Sequence, residues 1–333
     1  VKISYSFIIP VYNRPNEIEE LLMSFKNLQT NIPFEVVIVE DGSTETSEHI
    51  VRNYDTFLSI LYLKKNNSGP GDSRNYGMQK ASGNYFIVLD SDVVLPSDYL
   101  NNVDDFLKAN YVDCFGGPDE ADKSFTNIQK AINFVMTSFL TTGGIRGRKK
   151  AVKKFEPRSF NMGISKKAFE ATKGFGKIHP GEDPDLAIRI KNAGFKTCLI
   201  PNAYVYHKRR ISWSKFYQQV HKFGMVRVIL NNWHPETSSP VFWFPSFFTF
   251  SFFVALLLLL FQVYFPVLLF VFYFLLIGFL ATLKTKSIYI GFLSIRAAII
   301  QFFGYGLGFL KSTYYLRLLR KEPKEAFPKL FFK

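Results

Sequence analysis

Between Pro240 and Leu283 the chain carries no charged side chain. A membrane-spanning helix needs about 20 apolar residues, so this run is long enough for two crossings, and it lacks the polar face that a helix of a soluble core would present. The expected spans are residues 241–261 and 264–283, reversing near Gln262 and Pro266. Lys284 and Lys286 follow the second span, and Lys311, Arg317, Arg320, Lys321, Lys324 and Lys329 come later. The positive-inside rule assigns all of them to the cytoplasm. Residues 287–310 are apolar but contain Arg296, Gln301 and the run Gly304-Tyr-Gly306-Leu-Gly308. A central arginine costs about 2.5–3.5 kcal/mol on insertion scales, and a third crossing would strand the basic tail outside. This segment is therefore expected to form an interfacial or re-entrant helix followed by a basic cytoplasmic tail. Residues 231–333 as a whole read as the membrane region of a multi-pass protein of the inner (cytoplasmic) membrane.

Residues 1–230 read differently. Apolar runs Ser6–Val11, Phe34–Val39, Leu58–Leu63 and Tyr85–Leu89 alternate with helical stretches from Pro15 to about Leu28 and from Gly69 to about Ala81. Strands alternating with helices imply an α/β fold with a mainly parallel, doubly wound sheet. Asp90 and Asp92 end the fourth run. Residues i and i+2 of a strand share a face, so both carboxylates are expected to leave the carboxyl edge of the sheet together, where open α/β sheets bind ligands. Two such carboxylates repel one another unless a cation bridges them, an arrangement suited to a metal ion and a diphosphate.

Ile9-Pro-Val-Tyr-Asn13, Val39-Glu-Asp-Gly-Ser43, Ser73-Arg-Asn-Tyr-Gly77, Leu89-Asp-Ser-Asp92 and Gly181-Glu-Asp-Pro-Asp-Leu186 occur in this order. Together they resemble the motifs of family 2 glycosyltransferases with the Rossmann-like GT-A fold, over roughly residues 5–230. The resemblance implies transfer of a sugar from a nucleoside diphosphate donor, usually UDP-linked, to a hydroxyl acceptor with inversion at the anomeric carbon. It also implies roles for residues. Pro10, Tyr12, Asn13, Glu40 and Asp41 fall where the base and ribose bind, although the second motif usually begins with two aspartates and here reads Glu40-Asp41. Arg74 is placed either on the diphosphate or on the Asp90 carboxylate, since a guanidinium offers a fork of donors to both. Asp90 is expected near the ribose. Asp92 and His207 are the expected metal ligands, an oxygen and nitrogen set suited to Mn²⁺ or Mg²⁺.

An inverting displacement needs a base for the acceptor's proton. The resemblance gives this role to Asp183, with Glu182 as second choice and acceptor contact. On local grounds Asp183 followed by Pro184, with a stop at Gly194, also reads as a helix cap. Asp119 and Glu120 are candidates for the transferred sugar, and Ser159–Gly163 resembles the segment beneath the donor. The basic, glycine-rich stretch Thr141–Lys150 is a candidate loop over donor phosphates or an anionic acceptor.

Residues 211–230 combine aromatic, apolar and basic side chains at helical spacing and are expected to form an amphipathic helix at the membrane surface. Within it Gln219, Lys222 and Phe223 fall where processive synthases carry Gln-x-x-Arg-Trp, so that acceptor motif is degenerate. The degeneracy and the small number of spans favour a membrane-anchored transferase acting on a lipid-linked saccharide or other glycan acceptor over a chain-extruding synthase. A nucleotide-sugar-binding scaffold is the non-catalytic alternative. A net charge of +14 with 17% aromatic residues fits an anionic lipid surface, and no nucleic-acid-binding motif occurs. The two cysteines, Cys114 and Cys198, form no disulfide framework or zinc spacing.

Overall fold

The computed structural model describes residues 2–120, 125–142, 156–207 and 212–332. The elements run β1 (Tyr5–Val11), α1 (Pro15–Lys26), β2 (Phe34–Asp41), α2 (Glu48–Arg52), β3 (Ile60–Lys65), α3 (Pro70–Lys80), β4 (Tyr85–Leu89), β5 (Val93–Val94) and α4 (Tyr99–Ala109). They continue with β6 (Cys114–Gly116), β7 (Asp119–Glu120), α5 (Asn127–Thr137), α6 (Phe139–Thr142), β8 (Asn161–Ser165), α7 (Lys166–Thr172), α8 (Glu182–Asn192), β9 (Thr197–Leu199) and β10 (Val205–His207). The last helices are α9 (Trp213–Trp233), α10 (Phe244–Leu258), α11 (Phe265–Thr285), α12 (Ile288–Thr313) and α13 (Pro323–Ala326).

Two compact units divide the chain. The first takes Val1–Asp122, Lys149–Lys208 and, after the second unit, Lys329–Lys333. Its main sheet has the order β3-β2-β1-β4-β8-β6-β9. β8 runs antiparallel to both neighbours and the remaining pairs are parallel. Strands buried on both faces are continuously apolar, and alternate residues serve opposite layers. Phe7, Ile9, Val36, Ile38 and Ile87 face Leu21, Phe25, Tyr99 and Val103 of α1 and α4. Ile8, Val37, Val39, Phe86 and Val88 face Met78, Phe169, Leu186 and Ile190 of α3, α7 and α8. Helices on both faces make the sheet doubly wound, as expected. A smaller sheet, β5-β10-β7, stands apart from the main one and carries His207.

The second unit takes Lys123–Arg148 and Arg209–Pro328. Between β7 and β8, α5 and α6 belong here, with the Tyr273 hydroxyl donating to the Leu140 carbonyl and Gln301 to that of Thr141. At the centre lies α12. A Cβ on Gly308 would come within 2.1 Å of the His221 carbonyl, and one on Gly224 within 2.2 Å of that of Tyr305, so α9 and α12 run parallel in backbone contact. The α10 hydroxyls of Ser246 and Thr249 donate to Gly306 and Phe302, whereas Gly278 and Thr282 of α11 meet Ile295 and Gly291.

Three helical segments are long and apolar enough to cross a membrane, Pro240–Phe261, Phe265–Thr285 and Ile288–Leu318. The first two match the expected spans. The third, expected as an interfacial or re-entrant helix over residues 287–310, is one continuous helix, Ile288–Thr313, extended by a π-helical turn at Tyr314–Leu318. Its glycines are contact points for neighbouring backbones rather than hinges, and Arg296 lies over the Trp213 ring at 4.9 Å.

Gly308→Val should lower the thermal midpoint of the detergent-solubilised protein by an overpacking cost of about 1–3 kcal/mol, because the backbone of α9 leaves no room. Leu307→Val, on an exposed side chain, should leave the midpoint within a degree or two of wild type when both are followed by circular dichroism.

Candidate active site

β4 ends at Leu89, so Asp90 and Asp92 lie in the turn before β5 and not on one face of a strand. The turn, rather than the strand period, brings them together. Antiparallel pairing of β10 with β5 sets His207 opposite Val93. One ligand atom from each of Asp90, Asp92 and His207 then lies within 4.8 Å of the others. His207 Nε2 is 3.0 Å from Asp92 Oδ1, and Arg14 Nη1 donates to Asp92 Oδ2 at 2.7 Å. Burial works to raise the Asp92 carboxyl, but the hydrogen bond and charge of His207 and the charge of Arg14 outweigh it and hold the group far below the usual carboxylate range. The His207 ring stacks on Phe160 with centroids 5.4 Å apart, and its Nδ1 is buried with no hydrogen-bond partner among the described residues. Two carboxylates and one imidazole form a donor set that fits Mn²⁺ or Mg²⁺.

A second cluster forms around Arg74. Its guanidinium, 5% exposed, donates to Asp90 Oδ1 at 2.8 Å and to Glu182 Oε1 at 3.1 Å. Of the two sequence readings for Arg74, the structure shows the contact with Asp90. Glu182 also lies 3.0 Å from His179 Nδ1. Burial acts to raise the Glu182 carboxyl, but the hydrogen bond and charge of His179, with the charge of Arg74, bring it down to about 2. Asp183, 18% exposed, has Arg158 Nη1 at 3.6 Å. Its carboxyl is raised by burial, a shift that Arg158 opposes and the neighbouring Glu182 charge reinforces. The local cap reading needs correction here. The helix starts two residues earlier, with Gly181 at φ 120° as its cap, so Glu182 and Asp183 occupy the first turn at the positive end of α8.

Several proposed donor residues are engaged internally. Glu40 accepts from the Ser43 hydroxyl, from the amide and hydroxyl of Ser47 at 3.0 and 2.6 Å, and from the Tyr62 hydroxyl at 2.8 Å. Asp41 accepts from the amides of Ser68 and Gly69, both at 2.9 Å, and from Lys65. Asn13, at φ 52°, donates its amide to Ser43 and accepts from Thr44 and Glu45. These three shape the loops after β1 and β2. Pro10 is half-buried near the end of β1, Val11 after it is buried, and Tyr12 beyond the strand is 53% exposed. Asp119 pairs in register with Val205 in the small sheet. Gln219, Lys222 and Phe223 lie on α9, in the second unit. Of the basic stretch Thr141–Lys150, residues 143–150 lie outside the described residues.

Sequence reasoning missed Arg14, Arg158 and His179. Arg14 directly follows a motif and could have been proposed from that position. Arg158 has no local signal, because it lies before β8 and meets Asp183 through tertiary packing alone, whereas His179 stands three residues before Glu182 and could have been proposed from that spacing.

An α/β sheet with a carboxylate and histidine cluster at its carboxyl edge, beside a buried arginine and an acid pair, defines a nucleotide-dependent transferase of the GT-A type. The family model for glycosyl transferase family 2 matches residues 6–172, half of the chain, and the chain belongs to that family of glycosyltransferases. Poly(ribitol-phosphate) beta-N-acetylglucosaminyltransferase TarS of Staphylococcus aureus is 34% identical over 112 residues, 33% of this chain and 20% of that protein. Glycosyltransferase GlyA of Streptococcus pneumoniae is 37% identical over 97 residues, 29% of this chain and 14% of that one. The chain thus spans a fifth or less of the length of these curated relatives. Among solved structures, mannosyltransferase PcManGT of Pyrobaculum calidifontis, in complex with GDP-Man and Mn²⁺, shares the fold at a TM-score of 0.52 and 16% identity, over 69% of this chain and 65% of that one.

Arg74→Met should cost about 3–5 kcal/mol in urea unfolding at neutral pH, since it strands the Glu182 and Asp90 charges. In wild type the Glu182 carboxyl is depressed on folding, so its contribution is complete above the ordinary carboxylate range and fades as pH falls towards about 2. The gap between wild type and variant should therefore close on acidification.

Proposed function

We propose that the chain transfers a sugar, with inversion, from a UDP-linked donor to a hydroxyl of a lipid-linked or membrane-proximal glycan. The observation that carries this reading is the convergence of Asp90, Asp92 and His207 beside the Arg74–Glu182 pair, in a chain of glycosyl transferase family 2. Asp90, Asp92 and His207 would hold Mn²⁺ or Mg²⁺, which supplies positive charge to the departing diphosphate when bound. Pro10 and Tyr12 line the entrance for the base, and Asp41 and Asn13 fix the loops around it. Asp183 takes the acceptor's proton. Its raised carboxyl is a better base than an ordinary aspartate, and Glu182, kept ionised by His179 and Arg74, maintains that shift by repulsion. Glu182 contacts the acceptor.

Membrane attachment follows from α10 and α11, whose outward side chains include Leu257, Leu260, Phe261, Leu268, Leu269 and Phe272, all more than half exposed. Two observations support two crossings rather than three. The chain leaves the first unit after His207 and rejoins it at Lys329, so it crosses the bilayer an even number of times in between. In addition, α12 touches the first half of α10 and the last half of α11, the two ends that share one side of a helical hairpin. We therefore read α10 and α11 as the spanning pair and α12, with α9, as lying along the cytoplasmic interface of the inner membrane.

With UDP-sugars and GDP-mannose as a donor panel, wild type should release UDP from one donor in the presence of Mn²⁺ or Mg²⁺ and not with EDTA. Asp183→Asn should lose about 10²–10⁴-fold in rate, and Asp92→Ala should lose the metal dependence. Binding of UDP without turnover of any donor would sink the enzymatic reading. Because the Asp183 carboxyl is raised, the rate should climb with pH at values above the ordinary aspartate range. Arg158→Gln removes a charge that lowers it and should move that climb to higher pH. Single cysteines at Gln262, Lys286 and Arg320 test the topology: an impermeant maleimide should label the first from outside intact cells and the other two only after permeabilisation.

A further inference from the structure

The segment from Lys329 follows a membrane region, yet it is built into the unit that carries the acids. The His179 amide donates to the Leu330 carbonyl at 2.7 Å, and the Phe332 amide donates to the Lys177 carbonyl at 3.0 Å. Ile178 and Phe331 form the antiparallel bridge between these bonds. Leu330 is buried, with 3% of its surface exposed. The Phe332 ring lies 6.0 Å from the His179 ring, inclined at 51°. Its other neighbour is Gly69, where a Cβ would come within 2.3 Å of the ring, so the phenyl rests directly on the backbone. That glycine is the cap of α3 and donates to Asp41, and α3 carries Arg74.

Phe332 thus bridges two loops that lead into the acid network. One is the turn whose His179 holds Glu182; the other starts the helix whose Arg74 holds the same carboxylate. Hydrogen bonds to the 177–179 backbone fix where the turn lies, and the ring limits how His179 can rotate. A carboxylate whose partner is steadied by an aromatic side chain keeps its position without adding a polar group to the pocket.

We propose that Phe332 is a positioning residue for the Glu182–Asp183 pair, acting through His179. The inference rests on the proposed function for its catalytic consequence, but its structural part can be tested without turnover. In Phe332→Ala, hydrogen exchange of the full-length protein should rise over residues 177–186, while α1 and β2 keep wild-type protection. Unchanged exchange over 177–186, or a rise across the whole first unit, overturns the proposal whether or not the protein transfers sugar.

Where Asp183→Asn has established turnover, Phe332→Ala should lower kcat by about ten- to a hundredfold, the order expected for a displaced catalytic group. UDP affinity by calorimetry should stay within twofold, since Asp41 anchors the Gly69 loop independently. Phe332→Tyr should restore kcat, and Phe332→Ala combined with His179→Ala should be no slower than His179→Ala alone. Multiplying effects in the double variant, or a parallel loss of UDP affinity, would show that Phe332 does not act through His179.

Discussion

The buried Arg74 guanidinium is the interaction on which the active-site arrangement depends. It joins Asp90, in the turn after β4, to Glu182, in the first turn of α8, two elements separated by much of the chain. A guanidinium with so little exposure would be costly alone, and so would the equally buried Glu182 carboxylate, while Asp90 reaches the same guanidinium from a half-buried turn. Their mutual compensation fixes the turn that carries the metal-type cluster against the helix that carries the acid pair.

From that constraint the division of labour among the acids follows. Asp92 and Glu182 are pulled below the usual carboxylate range by His207 and Arg14 and by His179 and Arg74, whereas burial leaves Asp183 raised. Neighbouring carboxylates with opposed shifts suit different tasks, one set carrying fixed negative charge and one group exchanging a proton. Glu40 and Asp41 accept from hydroxyls, amides and Lys65, contacts that hold the shape of the loops after β1 and β2.

The membrane unit follows a different rule. Without a hydrophobic force between helices in lipid, close approach comes from small residues. Gly224, Gly304, Gly306 and Gly308 let α12 touch α9 and α10 at backbone distance, which gives this glycine-rich segment the most enclosed position in the unit. An apolar helix that serves as the centre of a bundle looks, in composition, much like one that crosses a bilayer.

The sequence by itself determined the α/β layering, the two uncharged apolar helices and most of the acids. Each of these depends on local pattern: continuous apolar runs in β1, β2 and β4, an uncharged stretch from Pro240 to Leu283, and Asp90 and Asp92 two residues apart. The family motifs carried Arg74, Asp183 and His207 because they recur as short ordered strings. Tertiary structure alone decided which side chains meet. Arg14 against Asp92, Arg158 against Asp183 and Phe332 against Gly69 are contacts between segments distant in the chain, and no local period encodes them. It also decided that 287–310 is one unbroken helix, because the cost of its glycines and Arg296 depends on what packs against them.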